Sequence, residues 1–283
     1  MKALESHYRI GDLCAAFAVS RSGYHRWRTA QASARVREDA LLAEQLRCLH
    51  TQSRGTYGRP RLEAALRRAG HRHSSKRIGR LMRALGLRGV RRGSFRPQTT
   101  QSRHGQQRAP NRLLEQPLPE RVDQHWVADI TFVPTQQGWL YVAGVLDRHS
   151  RRLLGLAFST RLDASLPEAA LRQALSRRGR DSGEDLIHHS DQGVQYASFS
   201  YQKLLRAHGL LASMSRIANC YDNAHMESFW GTLKAEAIAG RSFATRAEAR
   251  SVIFDYVETF YNRVRLHSAL GYLSPVDFEN QSN

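Results

Sequence analysis

Three consecutive runs rich in Val, Ile, Leu and aromatic residues, HWVADITFVP from residue 125, GWLYVAGVLDRHS from 138 and RRLLGLAFS from 151, are separated only by QQG and by the polar corner DRHS. Connectors this short hold successive strands antiparallel, so the runs predict a three-stranded meander. An amphipathic helix around 164–178, a short strand DLIHHSD, a helix around 198–208 and a short strand LLASMS follow. Helices then dominate through DNAHMESFWGTLKAEAI and TRAEARSVIFDYVETFYNRVR.

A meander followed by alternating helices and short strands is the order expected of a ribonuclease-H-like α/β fold, beginning here near residue 122. Ahead of it the periodicity is helical. YRIGDLCAAFAVSRSGYHRWR (8–28) puts Ile10, Leu13, Cys14 and Phe17 on one helical face, turns at AVS, and continues into a second short helix ending near Trp27. The pair reads as a helix-turn-helix presenting Arg21, His25, Arg26 and Arg28 to a groove, or as an ordinary helical hairpin. A helix over 36–52 offers Leu41, Leu42, Leu46 and Leu49 as an apolar stripe. GTYGRPRLEAALRRAG has Pro60 at an early helix position and Gly70 as its stop, and Ser74 or Ser75 caps a further helix ended by Gly86 and Gly89.

Residues 36–90 are thus expected to form a three-helix, helix-turn-helix-like module. Leu62, Leu66, Ile78, Leu81, Met82 and Leu85 are its core, and Arg59, Arg61, Arg77 and Arg80 are its candidate DNA contacts. Residues 91–121, aperiodic and rich in Gln, Arg, Pro and Ser, read as a basic linker able to track along DNA. The division expected is 1–35, helix-turn-helix-like; 36–90, helical DNA-binding module; 91–121, linker; and 122–283, catalytic core with a C-terminal helical extension.

Charge supplies a partner for the front half. The net charge is +18, and residues 1–110 carry 24 Lys and Arg against 6 Asp and Glu, whereas residues 111–283 carry 19 against 19. An excess confined to one segment points to a polyanion, most simply the DNA backbone. No apolar run approaches the roughly 20 residues needed to span a bilayer, and the N-terminus lacks the apolar stretch of a secretory signal. The expected location is therefore the cytoplasm. Cys14, Cys48 and Cys220 are too far apart for a metal clip and are expected to be buried or half-buried small side chains.

Three acids stand in contexts that ask for a function. Asp129 interrupts an apolar strand run, where an acid is costly unless paired or metal-bound. Asp191 ends the strand of LIHHSDQG, and ligands of open α/β sheets sit at such strand ends. Glu227 lies on a helix with Asn223 at i−4, Trp230 at i+3 and Lys234 at i+7 on the same face. Singly, Asp129 could pair with an arginine, Asp191 could cap the next helix and Glu227 could be a solvated helix residue.

Jointly, HWVADITFV, HHSDQGVQYAS and NCYDNAHMESFWGTLK, with 35 residues between Asp191 and Glu227, resemble the DDE signature of transposases and retroviral integrases. GTYGRPRL near Tyr57, SRSGYHRW near Tyr24 and the tail YNRVRLHSALGYLSPVDFE are similar to the second-frame product of bacterial insertion-sequence-three transposases, over about residues 8–279. The resemblance implies an integrase-like catalytic core in which Asp129, Asp191 and Glu227 bind two Mg²⁺ ions, with Mn²⁺ a substitute. It also implies a DNA contact at Lys234 and a place for Asn223 on the catalytic face, where a plain helix cap is the alternative. His189 and Gln192 flank the second acid. Trp126, Trp139 and Trp230 are expected in the core. Tyr261, Asn262, Arg265 and His267 fall in the family's terminal motif, either as an Arg/His contact to DNA or as a structural clasp. Ala218 stands where the family has Gly.

The resemblance implies DNA cleavage and joining, by a water or 3′-hydroxyl attacking a phosphodiester in line with no covalent protein intermediate. No phosphate-loop motif is present, so no ATP is implied. A serine or tyrosine recombinase, which would form a covalent adduct, and a purely DNA-binding regulator are the competing classes. No sustained heptad appears, so the resemblance further implies an upstream-frame product as partner, and a homo-oligomer assembled on DNA.

Overall fold

The computed structural model describes residues 1–29, 31, 33–91, 109–114, 116–179, 186–216 and 223–282. The helical front comprises α1 (Ile10–Ala16), α2 (Arg21–Thr29), α3 (Ala34–Gln52), α4 (Arg59–Arg68) and α5 (Ser75–Ala84). The second part contains β1 (His125–Thr135), β2 (Gly138–Asp147), β3 (Leu153–Ser159), α6 (Ser165–Arg178), β4 (Ile187–Ser190), α7 (Val194–Ala197), α8 (Phe199–Ala207) and β5 (Leu211–Met214). It closes with α9 (Ala224–Leu233), α10 (Arg246–Asp255) and α11 (Pro275–Ser282).

The strands order as β3-β2-β1-β4-β5. The meander is antiparallel, and β4 and β5 add to β1 in parallel. Parallel addition needs a crossover, which α6 provides between β3 and β4, while α7 and α8 join β4 to β5. Alternation along β1 divides the core: Trp126 and Ala128 pack with Leu166, Leu171 and Tyr201 on the α6–α8 side. Val127 and Val133 pack with Phe229, Trp230 and Ile253 on the α9–α10 side. Asp129 shares the parity of Val127 and so belongs to the α9 face. Helix α6 lies so close that a β-carbon on Gly155 would stand 2.0 Å from the Ala170 carbonyl oxygen, which makes glycine obligatory there.

Ser74 caps α5 by accepting from Arg77 N, and Gly86, at φ +67°, follows it. Leu42, Leu46, Leu62, Leu66, Ile78, Leu81 and Met82 are buried as the sequence predicts, with Leu85 partly so. Leu41 departs: it is 68% exposed because the stripe of α3 runs through Leu42 and Leu46 one position round. Phe17 and Trp139 are likewise exposed rather than core, and Cys48 is exposed. Trp139 lies at the start of β2, where the sheet ends, with its ring edge on Phe132 at 4.8 Å. Cys220 and Ala218 lie outside the described residues, as does most of the expected linker. The part of the linker that is described does not run free: Arg112 N donates to Ser213 Oγ at 3.0 Å and Arg112 Nε to the Ala212 carbonyl at 3.2 Å, along β5.

The two parts share one core. Tyr57, in the turn before α4, packs on Phe260, and its hydroxyl accepts from Leu266 N (2.7 Å) while donating to the Val264 carbonyl (2.9 Å). Arg54 reaches Asp255 at 2.7 Å, and Arg68 reaches Asp277 at 2.9 Å and the Tyr272 carbonyl at 3.1 Å. Both long C-terminal helices, predicted as regular α, end in π-helical turns over Lys234–Ile238 and Tyr256–Tyr261. The turns bring Glu236 and Tyr256 together, at 2.7 Å.

Candidate active site

Parallel pairing of β1 with β4 matches His125 to Ile187, Trp126 to His188 and Val127 to His189, a constant offset of 62. Carried two residues further, the same offset sets Asp191 beside Asp129. The sequence distance between the acids is therefore a register statement: both leave adjacent parallel strands at one level and on one face. Asp191 lies just past the end of β4, and its Oδ1 accepts from Gly193 N at 2.9 Å, fixing the turn into α7.

Glu227 comes from above. It occupies the first turn of α9 and is exposed. Asn223, the N-cap residue, does not cap with its side chain: its Nδ2 donates to the Ala128 carbonyl at 3.1 Å. That carbonyl belongs to the residue before Asp129, just beyond the last β1–β4 pair at Val127. The contact ties the start of α9 to the strand that carries the first acid. Close approach is possible because the β2 residue paired with Asp129 is Gly144; a β-carbon there would lie 3.1 Å from Met226 and from the Trp230 ring.

The electrostatics show the other two acids acting on Asp129. Burial holds the Asp129 carboxyl well above the usual carboxylate range, Asp191 pushes it further, and Glu227 adds a smaller push. The Ile130 N–H, which donates to Oδ1 at 2.9 Å, and Trp230 oppose the rise. Burial also raises Glu227. Lys234, half-buried at the start of the π turn with its Nζ 5.6 Å from the centre of the Phe132 ring, is lowered by burial and held up by Asp129. Among the described residues no three His, Cys, Asp or Glu side chains surround one point as a metal cage. The arrangement instead sets Asp129 and Asp191 level on neighbouring strands, near enough for Asp191 to raise Asp129, with Glu227 on a longer, exposed side chain. His189 is buried, its Nδ1 2.8 Å from Ser213 Oγ, and Gln192, next to Asp191 in the chain, is half-buried.

The candidate DNA contacts divide. Arg21 and Arg26 are exposed on α2, and Arg59 is exposed at the start of α4. Arg80 is exposed but pairs with Asp39, and Arg77, half-buried, pairs with Asp39 at 2.6 Å and with Glu38 at 3.2 Å. Two expectations fail. Arg265 is buried, its guanidinium donating twice to Glu236 at 2.8 and 2.7 Å. Arg61 donates to the Leu266 carbonyl at 2.9 Å and lies 4.0 Å from the same Glu236. Both are used up holding the tail against the module. The terminal motif is a clasp: Asn262 bonds both the N–H and the carbonyl of Leu153 at 3.0 Å, and His267 is half-buried with its ring 5.0 Å from that of Tyr261. Trp126 and Trp230 are buried as expected. Gly144 and Glu236 escaped the sequence reading. An isolated glycine within a strand run was a usable signal for the first, whereas Glu236 looked like any charge on a helix.

The chain is similar to known proteins. The chain matches the integrase core domain over residues 119–220 and again over 227–282, and an HTH-like domain over 37–95. It is 43% identical over 269 residues to the insertion element IS600 uncharacterized 31 kDa protein of Shigella sonnei, covering 95% of this chain and 98% of that one. It is 38% identical over 280 residues to the transposase InsF for insertion sequence IS3A of Escherichia coli strain K12, covering 98% and 96%. A simian T-cell lymphotropic virus intasome aligns at 16% identity over 83% of this chain and 74% of that one, with a TM-score of 0.47.

Proposed function

Since the chain belongs to the IS3 family of insertion-sequence transposases, we propose that Asp129, Asp191 and Glu227 are its catalytic acids and hold two Mg²⁺ ions, for which Mn²⁺ substitutes. Its function is DNA transposition and integration, its partner is DNA, and its chemistry is polynucleotidyl transfer. The observation that carries the assignment is the register coincidence of Asp129 and Asp191 beneath the helix bearing Glu227. The donor set fits the group. Carboxylate oxygens are the ligands hard divalent ions prefer, and the repulsion raising Asp129 is relieved by a cation between the acids. An ion shared between two carboxylates needs no three-sided cage.

When bound, such ions stabilise the attacking and leaving oxygens on opposite sides of one phosphorus. The chain's own residues do the rest. Asn223 anchors α9 to β1 and so fixes Glu227 relative to Asp129. Lys234, near Asp129, offers a positive charge to a phosphate beside the scissile bond. Arg21, Arg26, Arg59 and Arg80 are surface contacts to flanking duplex, and Asn223 serves DNA indirectly, through the site. We place the functional units at 1–35, 36–90, 91–121 and 122–283, and the protein in the cytoplasm at the nucleoid. Among the described residues no helix is long and apolar enough to cross a membrane. An upstream-frame product and oligomerisation on DNA complete the active assembly.

The test is incubation of this chain, alone and fused to the upstream product, with labelled element ends and Mg²⁺. The wild-type fusion cuts and joins; Asp129→Asn, Asp191→Asn and Glu227→Gln each lose at least a hundredfold while still retarding the DNA. Cleavage surviving in Asp191→Asn, or a protein–DNA covalent adduct, overturns the assignment.

A further inference from the structure

Trp230 sits one turn beyond Glu227 on α9, buried, with its six-membered ring against Gly144, the residue that pairs with Asp129 across β1–β2. Its indole N–H is buried without a well-formed hydrogen bond among the described residues. A buried donor left so is costly, and across the Gly144–Asp129 strand pair the neighbouring acceptor is the Asp129 carboxylate, whose proton affinity Trp230 lowers. Indole is a donor only. It cannot ligate a cation, and, being neutral, it does not repel one as Lys or Arg would. Packing against Gly144 and the Phe229 ring fixes its orientation before any ion arrives.

We propose that the Trp230 N–H holds one oxygen of the Asp129 carboxylate and so turns the other toward the divalent cation, making Trp230 a positioning residue of the metal site. One helix then supplies both a ligand, Glu227, and, three residues on, the group that orients its partner. The inference rests on Asp129 being a metal ligand.

Trp230→Phe keeps the ring packing and removes the N–H. In calorimetric titrations of the full chain, it weakens Mg²⁺ and Mn²⁺ binding by roughly tenfold, with the metal-free unfolding midpoint and metal-free DNA affinity near wild type. Independently, ¹⁹F NMR of the chain labelled with 5-fluorotryptophan reads the indole itself. The Trp230 resonance, assigned by elimination with Trp27→Phe, Trp126→Phe and Trp139→Phe in turn, shifts on Mg²⁺ addition, while that of exposed Trp139 does not. Wild-type metal affinity in Trp230→Phe, or a Trp230 resonance indifferent to Mg²⁺, overturns the proposal when Asp129→Asn abolishes binding. Unchanged binding in Asp129→Asn as well overturns the metal reading beneath it. If Trp230→Phe does not fold, the resonance shift in the otherwise native chain decides.

Discussion

Asp129 faces Gly144 across the β1–β2 ladder, and the missing side chain at 144 sets how near α9 can come. Gly144→Ala would push a methyl to within 3.1 Å of Trp230 and Met226. The Trp230 ring and the end of the Met226 side chain have to give by a few tenths of an ångström, and Glu227, on the same helix, is disturbed with them. The expected cost is about 1–3 kcal/mol of stability from overpacking. Strand cleavage falls as well: an ångström of misplacement costs roughly a hundredfold in rate, and a few tenths of that cost about two- to fivefold. Denaturant titration and a cleavage assay on one preparation separate the two effects; equal activity in Gly144→Ala would refute the coupling. The same residue predicts a pH dependence. Burial and Asp191 keep the Asp129 carboxyl protonated above the usual carboxylate range, and the protonated form does not ligate. Metal affinity therefore climbs as pH rises through that raised range, and calorimetry in buffers of differing ionisation enthalpy should detect proton release on binding. Asp129 was legible in the sequence because an acid in an apolar strand is conspicuous. Gly144 left only the signal of an isolated glycine in a strand run, and Asn223 as a tie to β1 and the Trp230 N–H left none, since their meaning depends on which strand pairs with which.

At the scale of elements, β4 is short and wholly buried, and it carries two adjacent histidines. Burial, then the neighbouring His189, lowers His188 to about 3, and its Nε2 lies 3.1 Å from the Tyr201 hydroxyl of α8. A base depressed in the folded state contributes stability that is fully present above its unfolded value near 6.5. That contribution is lost as pH falls toward 3, because the unfolded chain takes up a proton that the folded chain refuses. The slope attributable to one such histidine is about 1.4 kcal/mol per pH unit. Urea titrations between pH 7.5 and 5 should show stability declining, and His188→Phe should flatten the decline; an unchanged slope would place the effect elsewhere, His267 being the next candidate. The element order, the meander and the helix bearing Glu227 could all be read from periodicity, since each pattern is local. The π turns after α9 and α10 could not. They exist because Glu236, Tyr256 and Arg265 meet there, a tertiary condition invisible to any window of sequence.

For the whole molecule, the basic front half is less free to bind DNA than its charge suggests. Arg54, Arg61 and Arg68 are committed to the C-terminal extension, and Arg265 to Glu236. Composition located the excess charge correctly, but it could not tell a cation facing solvent from one that staples the module to the core, because both read as arginine on a helix. Salt dependence distinguishes them. Each phosphate neutralised on binding duplex contributes close to −0.9 to the slope of log K against log salt. Arg59→Ala and Arg21→Ala, at exposed positions, are expected to make that slope shallower by about 1 each, with stability changed by less than about 0.5 kcal/mol. Arg265→Ala is expected to do the reverse. The slope stays at its wild-type value in whatever fraction remains folded, while stability falls by about 3–5 kcal/mol, since Glu236 is left buried without its partner. Filter-binding isotherms from 50 to 300 mM salt, read beside urea titrations of the same three variants, provide the comparison. A shallower slope in Arg265→Ala without loss of stability would return that residue to the DNA surface and make the clasp incidental.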